Sequence, residues 1–400
     1  MSNTQKKNVP ELRFPGFEGE WEEKKLGNLT TKIGSGKTPK GGSENYTNKG
    51  IPFLRSQNIR NGKLNLNDLV YISKDIDDEM KNSRTYYGDV LLNITGASIG
   101  RTAINSIVET HANLNQHVCI IRLKKEYYYN FFGQYLLSRK GKRKIFLAQS
   151  GGSREGLNFK EIANLKIFTP TIFEEQQKIG KFFSKLDRQI ELEEQKLELL
   201  QQQKKGYMQK IFTQELRFKD ENGEDYPDWE NSKIEKYLKE RNERSDKGQM
   251  LSVTINSGII KFSELDRKDN SSKDKSNYKV VRKNDIAYNS MRMWQGASGK
   301  SNYNGIVSPA YTVLYPTQNT SSLFIGYKFK THRMIHKFKI NSQGLTSDTW
   351  NLKYKQLKNI NIDIPVLEEQ EKIGDFFKKM DILISKQKMK IEILEKEKQS

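Results

Sequence analysis

The feature that most constrains the fold of this chain is that much of its sequence occurs twice. The pattern Glu-Leu-Arg-Phe, followed by Trp-Glu, occurs within residues 11–22 and again within residues 215–230. Residues 174–183 return at 368–377 with eight of ten positions identical, which gives a repeat distance of 194 residues. That distance far exceeds the unit length of a solenoid repeat. The sequence therefore predicts two copies of one domain.

The two copies agree at their ends and diverge in between. Weaker echoes pair residues 88–91 with 284–287, and residues 96–98 with 296–298. A shared scaffold with two different interiors is suited to recognising two different targets. We predict four successive segments, namely a mixed domain over 1–173, a long helix over 174–213, a second mixed domain over 214–367 and a second long helix over 368–400.

Each mixed domain is expected to contain both strands and helices, so the predicted fold class is α+β. Apolar, β-rich runs predict strands at 51–54, 90–94, 118–121 and 311–315. Basic helical segments are predicted at 127–147 and 323–340. A polar loop that contains glycine follows each of these helical segments, at 149–156 and 341–349.

Each copy ends in a long helix with apolar residues at a 4-3 spacing. The two registers match, including a polar break at Glu193 in the first helix and at Gln387 in the second. Such a pattern favours a partner helix, and the nearest candidate is the other long helix of the same chain. The alternative is that each helix packs on its own domain. The predicted packing positions are Ile179, Phe183, Leu186, Ile190, Leu197, Leu200, Ile373, Phe377, Met380, Ile384, Ile391 and Leu394.

The net charge of the chain indicates which class of molecule it binds. Lys and Arg number 69 against 49 Asp and Glu, which leaves a net charge of +20 and favours nucleic acid. Aromatic residues at 10% supply material for packed cores despite a mean hydropathy of -0.82. No apolar run is long enough for a membrane span and no signal peptide opens the chain, so we expect a cytoplasmic protein without membrane contact. The single cysteine, Cys119, lies in an apolar run and is expected to be a buried thiol.

Several short motifs resemble catalytic or metal sites but are incomplete. Residues 34–38 match the end of a phosphate-binding loop, yet Thr31 occupies the position of its first glycine. Residues 308–311 lack the acidic or amide residue of an adenine methyltransferase motif, and residues 228–233 lack the spacing of a metal nuclease. His332 and His336 have helical ligand spacing, but lysine and arginine surround them. We therefore predict no catalytic residue, no metal site and no cofactor bound by this chain.

Side chains suited to DNA concentrate after strands and in loops of both copies. Lys and Arg neutralise phosphates, while Arg, Gln and Asn can reach base edges in the major groove. The candidates in the first copy are Lys37, Arg55, Gln57, Asn58, Arg60, Ser98, Arg101, Ser150 and Arg154. Those in the second copy are Arg292, Trp294, Gln295, Ser298, Lys300, Gln343, Ser347 and Trp350. For each of them, an ordinary solvated surface position is the alternative.

The duplicated pattern resembles the specificity (S) subunit of type I restriction-modification enzymes. The resemblance rests on the opening segment 12–21, the two helix starts that follow Pro170 and Pro365, and the helix end at 209–212. It implies two pseudo-symmetric target-recognition domains separated by two long antiparallel coiled-coil spacer helices. The register places the counterpart of Phe212 beyond Ser400, so the second helix lacks that last apolar turn.

The resemblance also implies partners. The chain would bind double-stranded DNA and two methyltransferase (M) subunits, and restriction/translocase (R) subunits would complete the enzyme. S-adenosylmethionine, ATP and magnesium would be bound by those partners. Two alternatives remain open, namely a methyltransferase or nuclease fused to its own recognition domains, and a basic RNA-binding adaptor.

Overall fold

Each copy of the repeat is built around a four-stranded antiparallel sheet. The structure, a computed structural model, describes residues 8–149, 156–266, 274–347 and 349–399. The chain divides into two compact units. Residues up to Glu194 together with those from Lys390 onward form unit 1, and Gln195–Met389 forms unit 2. Both long helices pass from one unit to the other.

The elements of the first copy begin with β1 (Glu22–Lys25), α1 (Leu26–Leu29), β2 (Thr30–Ser35), β3 (Ile51–Leu54), β4 (Val70–Ile72), α2 (Lys74–Glu79), β5 (Arg84–Thr85), β6 (Val90–Asn93), β7 (Thr102–Ile104), β8 (Ala112–Leu114) and β9 (Val118–Leu123). They continue with α3 (Tyr129–Leu137), α4 (Arg139–Leu147), α5 (Phe159–Ala163), β10 (Lys166–Thr169) and the long helix α6 (Phe173–Phe212).

The second copy contains β11 (Glu230–Lys233), β12 (Leu238–Glu240), β13 (Leu251–Thr254), β14 (Gly258–Lys261), β15 (Lys279–Val281), β16 (Ile286–Asn289), β17 (Ser298–Lys300), β18 (Gly305–Val307) and β19 (Tyr311–Pro316). After these come α7 (Ser322–Lys328), α8 (His332–Asn341), α9 (Tyr354–Leu357), β20 (Asn361–Ile364) and the long helix α10 (Leu367–Gln399). The predicted α+β class is confirmed.

The central sheets of the two units have the same strand order. It is β2-β9-β6-β7 in unit 1 and β12-β19-β16-β17 in unit 2. Strand β9 is apolar without alternation because both of its faces are covered. Cys119 and Ile121 pack into a helical layer, whereas Val118 and Ile120 pack under a second β layer. Burial raises the pKa of the Cys119 thiol to about 12, so the expectation of a buried thiol is confirmed.

The interiors differ in that second β layer. Unit 1 has a four-stranded sheet of order β4-β3-β8-β5, in which β3 and β8 run parallel. Unit 2 has two separate hairpin-like pairs, β13 with β14 and β15 with β18. The divergent part of the repeat is therefore a different β layer on a shared sheet.

The helical segments predicted at 127–147 and 323–340 are confirmed, but each is divided into two helices, α3 and α4 in unit 1 and α7 and α8 in unit 2. Ser138 adopts an extended backbone between α3 and α4, and its hydroxyl oxygen accepts the amide of Gly141 at 3.1 Å. Thr331 does the same between α7 and α8, accepting from the amide of Met334. Ser and Thr favour this N-cap geometry over a helix interior, and that preference splits both segments at equivalent places.

The sequence motifs that occur in both copies contact each other within each unit. The guanidinium of Arg13 donates to both carboxylate oxygens of Glu175 at 2.7 and 2.8 Å, and the indole of Trp21 adds a third hydrogen bond at 3.3 Å. In unit 2, Arg217 donates to Glu369 at 3.2 and 2.7 Å. Both glutamates are completely buried. The duplicated ends therefore tie the start of each domain to the start of its long helix.

A buried glutamine secures each helix start as well. The Gln176 side chain accepts from the amide of Tyr128 and donates to the carbonyl of Pro170. Gln370 accepts from the amide of Ser321 and donates to Pro365 in the same way. The shared residues thus form the scaffold on which the divergent parts are mounted.

Within each unit the two long helices pack antiparallel. In unit 1, Asp187 pairs with Lys398 and Glu193 pairs with Lys390. In unit 2, Lys204 pairs with Asp381 at 2.6 Å, and the ring of Tyr207 meets that of Phe376 at 5.2 Å. Residue numbers rise along α6 as they fall along α10 in both sets. In the described part of the chain, no helix is long and apolar enough to cross a membrane.

The predicted packing positions are shielded on both helices. Ile373, Phe377, Met380, Ile391 and Leu394 are buried, and Ile384 is half-buried. The six positions on α6 are half-buried. The break at Glu193 is explained in unit 1 by its ion pair with Lys390.

Candidate nucleic-acid interface

In unit 1 the predicted DNA contacts converge on one edge of the central sheet. Strand β2 ends there, β6 ends there, and β7 and β9 begin there. Lys37 follows β2, Ser98 follows β6, and Arg101 precedes β7. The sheet therefore brings together positions separated by more than sixty residues in the chain.

Asn93, at the end of β6, joins two of the predicted clusters. Its buried side-chain amide donates to the carbonyl of Ser56 at 2.9 Å and to the hydroxyl of Ser98 at 3.1 Å. The loop after β3 and the loop after β6 are thereby held side by side. Our sequence analysis missed Asn93, although a polar residue that ends an apolar strand run is a usable signal for such a role.

A second group missed by the sequence analysis lies beside this edge. The Thr95 hydroxyl and Nδ1 of His117 are 2.6 Å apart, and Nε2 of His117 lies 3.2 Å from the amide nitrogen of Gln116. Gln116 also accepts a hydrogen bond from the hydroxyl of Thr38. This chain of polar groups connects the β2 loop to the β6 loop and places an imidazole between them.

The candidates in unit 1 differ in availability. Lys37, Gln57 and Arg60 are exposed, and Arg101 is half-exposed. Arg55 is turned into its own loop, where it donates to the carbonyl of Asp68 at 2.8 Å and lies over the ring of Tyr46. Ser150 and Arg154 lie outside the described residues.

Asn58 requires a correction, because its side chain is fully buried. It accepts from the amide of Arg55 at 2.9 Å and donates to the carbonyl of Asn65 at 2.9 Å. Both ends of the amide are used inside the loop, so Asn58 shapes the loop and we remove it from the candidate contacts.

Unit 2 presents the equivalent sheet edge with different side chains. After β16 a short 3-10 turn carries Arg292, Trp294 and Gln295, and Arg292 donates to the side-chain oxygen of Gln295 at 3.1 Å. The ring of Trp294 meets that of Trp350 edge to face, with centroids 5.2 Å apart. Lys339, which the sequence analysis did not select, lies 5.7 Å from the Trp350 ring.

A half-buried lysine holds this turn in place. Lys330 donates to the carbonyls of Gly296 and Ile255, the latter at 2.7 Å. Burial lowers the pKa of Lys330 to about 8. Gly296 has a φ of 85°, and a side chain there would meet Ile335 at 3.3 Å, so the turn depends on glycine.

The polar loop that follows α8 is attached to the same edge. The amide of Leu352 donates to the carbonyl of Ser290 at 2.8 Å, just after β16. In unit 1 the amide of Leu157 donates to the carbonyl of Ile94 at 3.0 Å, just after β6. Each unit therefore attaches the end of its glycine-containing loop at an equivalent point. In unit 2 that loop carries Gln343 and Ser347, which are exposed, and Trp350, which contacts Trp294.

Two candidates in unit 2 are not available at this edge. Ser298 is fully buried, and its hydroxyl has no hydrogen-bond partner among the described residues. Lys300 pairs with Ile286, at the opposite end of β16 from the edge, and donates to Asn302 at 2.8 Å and Asn284 at 3.2 Å. Burial, together with nearby Lys378 and Lys283, lowers its pKa. We therefore remove both residues from the candidate edge.

The side chains exposed at either edge are of the types that contact nucleic acid. Exposed cations, amides and aromatic rings can contact phosphates, base edges and base faces. Among the residues that the structure describes, no three His, Cys, Asp or Glu side chains are grouped to hold a metal ion. His332 and His336 lie together on α8.

Comparisons with known proteins support one family. The sequence profile described as the type I restriction modification DNA specificity domain matches residues 18–202 and 226–395. A putative type I restriction enzyme specificity subunit, MjaX, from Methanocaldococcus jannaschii is 28% identical over 231 residues, 55% of this chain and 53% of the relative. The EcoBI specificity subunit from Escherichia coli is 33% identical over 133 residues, 32% of this chain and 27% of the relative. The matched segments thus span about half and about a quarter of these relatives.

Solved structures show the same fold. The chain is similar to the type I restriction-modification S subunit from M. genitalium with a TM-score of 0.59 and 14% identity, covering 98% of this chain and 96% of that one. A chain solved in work on complex assembly and conformational transition of the type I R-M system gives a TM-score of 0.55 at 15% identity. It covers 98% of this chain and 97% of that one.

Proposed function

Because the chain belongs to the family of type I restriction-modification DNA specificity domains, we propose that it reads a two-part sequence in double-stranded DNA. Each unit reads one half of the site, and the chain acts as the specificity subunit of a type I enzyme. One observation carries this proposal most directly. The two units use the same sheet edge, held by the same scaffold contacts, but present different side chains there.

The differences at the edge suit two different half-sites. Unit 1 offers Lys37, Gln57, Arg60 and Arg101, together with the hydrogen-bonded group of His117. Unit 2 offers Arg292, Gln295, Lys339 and a pair of tryptophans. Direct readout depends on which donors, acceptors and apolar groups reach the base edges, so different edge residues specify different bases.

The chain itself performs no catalysis in this proposal. Two methyltransferase subunits methylate adenine, and restriction/translocase subunits complete the enzyme. S-adenosylmethionine, ATP and magnesium bind to those partners. The paired long helices act as the spacer between the two recognition domains, and the antiparallel contacts found in each unit support this role.

The proposal is tested by mapping methylated adenines in DNA modified by the chain co-expressed with its methyltransferase subunits. A two-part motif with an unspecified gap is expected. Residues 15–165 are then exchanged for those of a relative with another specificity. One half of the motif should change while the other half and the gap stay the same. A change in both halves, or a motif without a gap, would refute the assignment of one half-site to each unit.

A second experiment distinguishes a DNA-reading protein from an RNA-binding adaptor. Filter binding should show that the full chain prefers a duplex DNA carrying the motif over double-stranded RNA of the same sequence. Preferential binding of the RNA would favour an RNA-binding adaptor instead.

A further inference from the structure

The loop between α8 and α9 in unit 2 holds an apolar side chain entirely in solvent. Leu345 is fully exposed. Two further apolar residues of this region are exposed, namely Ile340 near the end of α8 at 66% and Met291 beside Trp294 at 45%. Isolated exposed apolar residues are common, but Leu345 shares its loop with Trp350 and Met291 shares its turn with Trp294, and the two tryptophan rings contact each other.

The loop is closed at its base. The backbones of Gln343 and Asn351 exchange two hydrogen bonds at 3.0 and 2.8 Å. Inside this closure, the amide of Thr349 donates to the carbonyl of Thr346 at 3.0 Å, and its hydroxyl accepts from the amide of Thr346. The loop therefore projects Leu345 outward from a turn with internal hydrogen bonds.

Gly344 makes this turn possible. Its φ is 146°, and a side chain there would lie 2.6 Å from the carbonyl oxygen of Thr349. Any larger residue would force the two sides of the loop apart. The backbone is thus specialised to place Leu345 at the tip.

The surroundings of the tip are cationic. Arg292 is exposed on the turn that carries Trp294, and Lys339 lies against Trp350. An apolar protein partner would leave these charges to be desolvated without compensation, whereas a DNA duplex offers phosphates to the cations and base faces to the apolar group.

The two units differ at this place. The equivalent loop of unit 1 has the sequence Ser-Gly-Gly-Ser-Arg-Glu-Gly at residues 150–156, which contains no apolar side chain. An apolar tip is therefore a property of the unit 2 sequence, and unit 1 provides an internal reference.

From these observations we propose that Leu345, at the tip of the loop that also carries Trp350, is a wedge that enters the base stack of the half-site read by unit 2 and kinks the DNA there. Apolar wedges of this kind unstack one base step and are repaid by closer protein contact. The inference rests on the proposed function, because it concerns the DNA that unit 2 would bind.

The test uses the full chain co-purified with its methyltransferase subunits and duplexes that carry the motif found by methylation mapping. In one series, 2-aminopurine replaces a base at each successive step of the unit 2 half-site. A second series carries a donor and an acceptor dye at the duplex ends. Wild-type protein should brighten 2-aminopurine at one step and raise the energy transfer between the dyes.

Leu345→Ala should abolish both signals and weaken binding about tenfold, as expected when one leucine is no longer buried. Leu345→Met should retain the signals, since methionine also serves as a wedge. Leu12→Ala, at a largely exposed leucine in unit 1, is the matched control and should change neither signal. Because Leu345 is fully exposed, its replacement should leave the melting temperature unchanged.

The outcomes distinguish a failure of the proposed function from a failure of the wedge. Failure of the wild-type complex to prefer the motif duplex would count against the proposed function. Tight, motif-specific binding without brightening at any step would overturn the wedge alone. Loss of affinity on replacing thymine by uracil in the half-site, with stacking unaltered, would also overturn it by showing that Leu345 reads a thymine methyl group in the groove.

Discussion

Removing Arg217 should destabilise unit 2 strongly, because this residue neutralises a carboxylate that water cannot reach. Glu369 is completely buried at the start of α10, and Arg217 donates to both of its oxygens. A third hydrogen bond from Arg217, to the carbonyl of Pro227 at 2.7 Å, is lost as well. Breaking a buried ion pair from one side costs about 3–5 kcal/mol, since the remaining charge is uncompensated. We expect Arg217→Ala to lower the unfolding free energy of unit 2 by that amount.

Urea denaturation followed by tryptophan fluorescence can measure this loss. Unit 2 contains Trp229, Trp294 and Trp350, three of the four tryptophans of the chain, so the signal reports mainly on it. Lys236→Ala is the matched control, because Lys236 pairs with Glu230 at the surface, where both side chains are about half-exposed. That variant should leave the midpoint unchanged.

A double variant identifies the cause of the loss. If the uncompensated charge is responsible, Glu369→Gln in the Arg217→Ala background should restore a large part of the stability, whereas Glu369→Gln alone should be destabilising. Equal effects of Glu369→Gln in both backgrounds, or a cost below about 1 kcal/mol for Arg217→Ala, would refute the reasoning.

Three further predictions concern spacing, chemistry and acidity. Inserting four residues after Glu194 lengthens α6 by about 6 Å. With base pairs about 3.4 Å apart, the mapped methylation motif should gain one or two base pairs in its gap with both half-sites intact; an unchanged gap in an active complex would rule out the spacer role. The purified chain, incubated with DNA, S-adenosylmethionine and ATP, should show no methylation, cleavage or ATP hydrolysis, and methyl transfer by pure protein would contradict this. Burial opposes ionisation of Asp77, but hydrogen bonds from Arg84, His111 and Asn113 outweigh it, so the pKa of Asp77 is lowered from its ordinary 3.8. The ionised Asp77 stabilises unit 1 fully above its ordinary pKa of 3.8, and this stabilisation is lost as the pH falls through the lower pKa of the folded state. Asp77→Asn should therefore destabilise unit 1 at pH 7 and converge with wild type in strong acid. A constant difference between the two proteins across that pH range in urea melts would contradict this prediction.

Much of the scaffold follows from local patterns in the sequence. The repeated words predicted two domains, and the 4-3 spacing predicted both long helices to within a residue at their starts. Strands β3 and β9 were found from apolar runs because burial on both faces removes the polar alternation. The two breaks at Ser138 and Thr331 were missed, since a capping residue inside a helical pattern competes with periodicity over a single turn.

The sequence alone did not reveal what the repeated motifs do in the fold. Arg13 and Glu175 are 162 positions apart, and nothing in either segment states that they form a buried ion pair. The equivalent pair in unit 2, Arg217 and Glu369, gives the same contact from the same words. Repetition indicated that these residues matter, and the structure supplied the reason.

The sequence by itself determined that the chain is duplicated and basic and that each copy ends in a long helix, because repetition, periodicity and charge can be read from the order of residues alone. Tertiary structure decided which polar residues face outward together. Asn58 and Ser298 have suitable chemistry but are buried, and Lys300 lies at the far end of its strand, whereas His117 and Lys339 join the edge. Groove recognition depends on the positions of side chains contributed by distant strands and loops, and those positions are fixed by long-range packing that no local pattern encodes.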